Sequence, residues 1–71
     1  MIIAVYECWC WRPGTEAPHI FSAWHREFET LGEAEASIGH NDREDYCEVK
    51  LYEGKLVGHF PAKVERPEVK P

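Results

Sequence analysis

Residues 46–60 constrain the fold more than any other stretch. Tyr46 to Tyr52 and Lys55 to Phe60 are two β-rich runs on either side of Glu53-Gly54, a pair suited to a tight turn between antiparallel strands. With a two-residue turn, Leu51 lies opposite Leu56, Val49 opposite Gly58 and Cys47 opposite Phe60, which makes one face apolar. The other face then pairs Tyr52 with Lys55, Lys50 with Val57 and Glu48 with His59. A slip of one residue would move every side chain to the wrong face, so the alternation specifies a hairpin.

A hairpin alone cannot bury enough surface to be stable, and the rest of the chain supplies its partners. Residues 2–12 are rich in Ile, Val, Tyr and Trp and read as a strand. Ile3, Val5, Trp9 and Trp11 fall on one face and Ala4, Tyr6, Cys8 and Cys10 on the other. Both faces are apolar, which predicts a central position. The Pro and Gly of residues 13–18 predict a loop. From His19 to Phe28, Ile20, Trp24 and Phe28 alternate through Ser22 and Arg26 as in a strand, whereas Phe21, Trp24, Phe28 and Leu31 also fit helical spacing. The aromatic content favours the strand.

Thr30 followed by Glu33 forms a capping-box pair and predicts a helix from Leu31 to about Ile38. That helix buries Leu31, Ala34 and Ile38 and stops at Gly39 in a left-handed conformation. The expected fold is therefore a small α+β domain, β-β-α-β-β, with an antiparallel sheet of about four strands and one helix packed on one face. In the alternative, residues 19–38 are helical over a three-stranded sheet. Residues 1–60 make the single domain, and residues 61–71 are read as a Pro-rich flexible tail.

Seventy-one residues leave little apolar material for an internal active site. No phosphate loop, nucleophile elbow, zinc-protease motif or calcium loop is present. Cys8, Cys10 and Cys47 with His19, His25, His40 and His59 could supply zinc ligands in number, but a Cys-x-Cys pair on a strand lacks the usual ligand spacing. None of the thiols follows a helix start that would lower its pKa. The expectation is no enzyme activity, no metal and no cofactor. The apolar run at the N-terminus breaks at Glu7 and has no leading basic residue, so it reads as a strand and not as an export signal or membrane span. A cytoplasmic protein with three reduced thiols follows, a disulfide from Cys47 to Cys8 or Cys10 being the lesser option.

Charge is distributed unevenly. From Glu29 to Glu48 there are seven acids and one base, a net of −6, whereas the whole chain carries −5, so the remainder has a net of +1. This acidic pole disfavours direct contact with duplex nucleic acid, which needs a basic surface. It suits a protein partner with a basic surface, where complementary fields speed and orient association. Glu33, Glu35, Asp42, Glu44 and Asp45 are the candidate contact residues. Trp11, beside the loop, is a candidate anchor, since Trp is enriched at binding hot spots. Pairing of sheet edges into a homodimer is a further expectation, because four strands leave two edges exposed.

No family signature appears. In size, acidity and layout the chain resembles the small phage-encoded inhibitors of bacterial defence, anti-CRISPR proteins among them, a likeness of general form without a shared motif. The resemblance implies an inhibitor or adaptor that occupies a nucleic-acid-binding surface of a larger protein.

Overall fold

The computed structural model describes residues 1–39 and 44–67. The elements run β1 (Ile2–Cys10), β2 (His19–Phe28), α1 (Leu31–Gly39), β3 (Cys47–Tyr52) and β4 (Leu56–Phe60). All strand pairs are antiparallel, in the order β2-β1-β3-β4. The domain is α+β as its patterning predicts, and residues 19–28 take the strand and not the helical alternative. No helix among the described residues is long and apolar enough to cross a membrane.

β1 is central because both of its faces are apolar. Ile2, Ala4, Tyr6 and Cys8 are buried on the side that α1 covers. Opposite them on β3 stand Leu51, Val49 and Cys47, all buried as well. On β2, Phe28 lies opposite Ile2 and Trp24 opposite Tyr6. The Tyr6 and Trp24 rings stack with centroids 5.1 Å apart and planes 7° from parallel. α1 packs on β1 and β2 and contributes Ala34 and Ile38 to the core, with Phe28, Leu31, Val57 and Phe60 closing its margin. Leu31 is half-buried and not fully inside, being the first residue of the helix.

Thr30 caps the helix through one leg of the expected box. Its Oγ1 accepts the Glu33 amide at 3.2 Å, and its carbonyl accepts the Ala34 amide at 3.2 Å. The C-terminal end differs from expectation. Gly39 is the last helical residue and is not among the positive-φ glycines, which are Gly14 and Gly54, so the helix does not end in a left-handed glycine there.

The hairpin also departs in detail. Tyr52 pairs with Leu56, leaving a three-residue loop, 53–55, in which Gly54 takes the left-handed position at φ 71°. Val57 is the extra residue of the resulting bulge, so the pairs become Leu51↔Gly58, Lys50↔His59 and Val49↔Phe60. These are displaced by two residues from the tight-turn register. A displacement of two keeps the faces sorted, and Leu56 alone is lost to the open side, where it is 52% exposed.

The expectation of three reduced thiols is overturned. Cys8 and Cys47 stand directly opposite in the β1–β3 ladder and are joined in a disulfide, while Cys10 is free. Register brings them together, and register between distant strands is not visible in cysteine spacing. β1 also ends at Cys10, two residues short of the expected boundary, because Trp11 turns to bond the following loop.

Two stability predictions follow from this packing. A Cβ at Gly58 would meet Leu51 Cδ1 at 2.9 Å, and Leu51 is fully buried, so Gly58→Ala is expected to cost about 1–3 kcal/mol in urea unfolding; an unchanged midpoint would contradict the register. The disulfide closes a sequence separation of 39 residues, for which chain entropy gives about 4 kcal/mol. Reduction, or Cys8→Ser with Cys47→Ser, should lower unfolding free energy by about 2–5 kcal/mol, and superimposable curves would refute the bond.

Candidate functional site

The described acids of the predicted contact set are all at the surface. Glu33 and Glu35 are exposed on α1, and Glu44 and Asp45 are exposed just ahead of β3; Asp42 lies outside the described residues. Two residues apart on a helix, Glu33 and Glu35 do not share a face, so the acids form a diffuse negative region and not a convergent cluster. Glu44 and Asp45 are held by their backbones: the Glu44 carbonyl accepts the Cys47 amide at 3.0 Å, and the Asp45 carbonyl accepts the Lys63 amide at 2.7 Å.

None of the exposed carboxylates of Glu29, Glu33, Glu35, Glu44 and Asp45 takes part in an ion pair among the described residues. Half-buried Glu48, by contrast, meets His59 Nε2 at 2.7 Å and Lys50 Nζ at 3.9 Å. The Glu48–His59 contact is the one expected from the hairpin faces, reached diagonally in the displaced register. It lies on the side opposite Cys47 and gives no thiol–imidazole pairing.

Trp11 belongs to a separate feature. Arg12-Pro13-Gly14-Thr15 is a type II turn: Pro13 and Gly14 hold its central positions, Gly14 has φ 87°, and the Thr15 amide donates to the Arg12 carbonyl at 3.2 Å. The Thr15 hydroxyl donates to the same carbonyl at 2.6 Å, and Trp11 Nε1 donates to the Thr15 carbonyl at 3.0 Å. The Arg66 guanidinium stands 5.9 Å from the Trp11 ring centroid. Together these residues line a cleft of about 130 Å³ with Glu16 and Pro67. Two arginines border it, so the structure does not place Trp11 within the acidic region. Residues 61–67, without regular structure, run from β4 past Asp45 to this cleft.

Two of the three thiols are consumed by the disulfide, and no group of three or more His, Cys, Asp or Glu side chains is placed to hold a metal among the described residues.

What sequence reasoning did not single out is the exposed apolar surface at β2. Phe21 is 55% and Ile20 41% exposed, and Trp24 remains 42% exposed although one ring face rests on Tyr6. Phe21 meets Tyr46 with ring centroids 5.8 Å apart. The signal was present in the competing strand and helix periodicities of 19–28, but only the strand order reveals that this segment is an edge.

No protein-family model, curated protein or solved structure matches the chain.

The Trp11 contacts yield a local test. Removing the indole loses the ring–cation contact that joins it to Arg66, about 0.5–1 kcal/mol at an exposed site. Trp11→Ala should therefore speed amide exchange at Lys63 about two- to fivefold, with Trp11→Phe intermediate. Unchanged exchange at Lys63 would mean that Trp11 does not hold the 61–67 segment.

Proposed function

We propose that this chain is a non-enzymatic protein-binding module, a small acidic inhibitor or adaptor that docks on a basic surface of a larger protein, of the kind that otherwise holds nucleic acid. One observation carries the reading: five exposed carboxylates in or beside the acidic segment have no cationic partner among the described residues. Unneutralised charge projects a field into solvent, and a partner of opposite sign gains from it in encounter rate and orientation. The likeness in size and acidity to phage-encoded defence inhibitors supports the same partner class. The cytoplasmic placement belongs to this proposal too, and the Cys8–Cys47 bond weighs against it, since disulfides persist mainly in oxidising compartments.

The test is a comparison of tagged wild type with a variant carrying Glu33→Gln, Glu35→Gln, Asp42→Asn, Glu44→Gln and Asp45→Asn. Glu33, Glu35, Glu44 and Asp45 are exposed, so their changes should leave the melting temperature nearly unaltered. Affinity for the protein partner recovered by wild type is expected to fall at least tenfold in the variant, and to fall for wild type as salt is raised. Equal binding by both proteins would sink the proposal.

A further inference from the structure

The two edges of the sheet are built differently. β4 is five residues long, contains the Val57 bulge, and is flanked by Lys55 and Pro61, all devices that discourage edge pairing. β2 is ten residues long; Pro18 precedes it, but residues 22–28 contain neither Pro nor Lys, and all of the strand except Ser22 and Phe28 is exposed. Its irregularity sits at Phe21, between the pairs Cys8↔Ser22 and Trp9↔Ile20. Beyond that bulge, Ser22 to Phe28 keeps an unbroken register with β1. The regular segment is thus centred on His25.

The direction of its backbone groups can be read from β1. The Trp9 amide donates to the Tyr46 carbonyl at 3.0 Å, whereas the Cys47 amide turns away to the Glu44 carbonyl. Trp9 and, by alternation, Glu7, Val5 and Ile3 therefore bond toward β3, and Cys8, Tyr6, Ala4 and Ile2 toward β2. Their partners Ser22, Trp24, Arg26 and Phe28 face back to β1. Ala23, His25 and Glu27 consequently direct their N–H and C=O groups outward.

We infer that this edge pairs with a second copy of the same chain, β2 against β2 in antiparallel sense, with the two-fold axis at His25. The whole regular segment then pairs with itself, and the outward groups of Ala23, His25 and Glu27 form about six backbone hydrogen bonds. The side chains suit this register and not its neighbours. On the helix-bearing side, Trp24 of each copy stands opposite Arg26 of the other, whose guanidinium lies 5.0 Å from the Phe28 ring of its own chain, so a cation meets an aromatic surface and no like charges meet. On the open side, Glu27 lies opposite Ala23 and diagonal to His25 of the second copy. No carboxylate opposes a carboxylate. Moving the axis to Arg26 would set guanidinium against guanidinium, and moving it to Trp24 would run Glu27 into the bulge at Phe21. This self-complementarity argues for a second copy over an unrelated strand. The product is a continuous eight-stranded sheet, and the surface used is distinct from the acids of the docking proposal, so the two stand or fall separately.

An interface of this size is small, so dimer should accumulate between about 10 µM and about 1 mM. Sedimentation equilibrium of the full chain over that range should show the mass rising from 8.3 kDa toward twice that value. Residue-resolved hydrogen exchange over the same range supplies the specific signature. Amides of Ala23, His25 and Glu27 should slow at least tenfold with concentration, while those of Ser22, Trp24 and Arg26 are protected throughout. His25→Lys, which sets two ammonium groups near the axis, should keep the latter protection and remain monomeric. The inference is overturned by a monomer at every concentration, by a dimer in which Ala23, His25 and Glu27 exchange freely, or by a His25→Lys variant that associates like wild type.

Discussion

Tyr6 is the point on which the architecture turns. It is fully buried at the middle of the central strand, opposite Trp24 on one side and Val49 on the other. Its hydroxyl has no hydrogen-bond partner among the described residues, which costs about 1–3 kcal/mol. Burying an aromatic ring of this size returns about 4–6 kcal/mol at 25 cal/mol per Å², so packing outweighs the unsatisfied oxygen. The same strict alternation buries Ile2, Ala4 and Cys8 with it. A slip of β1 by one residue against its two neighbours would turn Ile3, Val5 and Glu7 inward, and the Glu7 carboxylate would have no compensating charge there. The Cys8–Cys47 bond then ties the same register covalently.

Most of this was legible in the residues because several levels agreed. The apolar faces of residues 2–10, the Thr30–Glu33 start and the two runs around Glu53-Gly54 each point to one element, and their order leaves few ways to close a sheet. The details that escaped depend on single backbone conformations or on distant pairing. Gly54 admits either a two-residue or a three-residue loop, and only the latter creates the Val57 bulge and exposes Leu56. Gly39 looked like a helix stop by type, but it serves as an ordinary last helical residue. The disulfide depends on β1 and β3 being neighbours, which no local pattern encodes.

The candidate surfaces divide in the same way. Excess negative charge between Glu29 and Glu48 is a property of composition and was visible directly. Whether those acids are neutralised is a property of the fold, and Lys50 and His59 make their contacts with Glu48 instead. The cleft at Trp11 joins residues 55 positions apart, since Arg66 returns to it, and sequence proximity suggests only the turn half of it. The long unguarded edge of β2 likewise exists only because β1, and not β2, occupies the centre.

Sidedness organises the whole domain: α1 covers the Ile2, Ala4 and Tyr6 face, which leaves the Ile3, Val5 and Glu7 face and the β2 edge without a helix. Isotope-edited nuclear Overhauser spectroscopy of the full chain measures this directly. Contacts from Ala34 and Ile38 to Ile2, Ala4 and Tyr6, with none to Ile3 or Val5, are the expected result. Contacts from α1 to Ile3 and Val5 would place the helix on the opposite face and contradict the core, the register and the surfaces built on them.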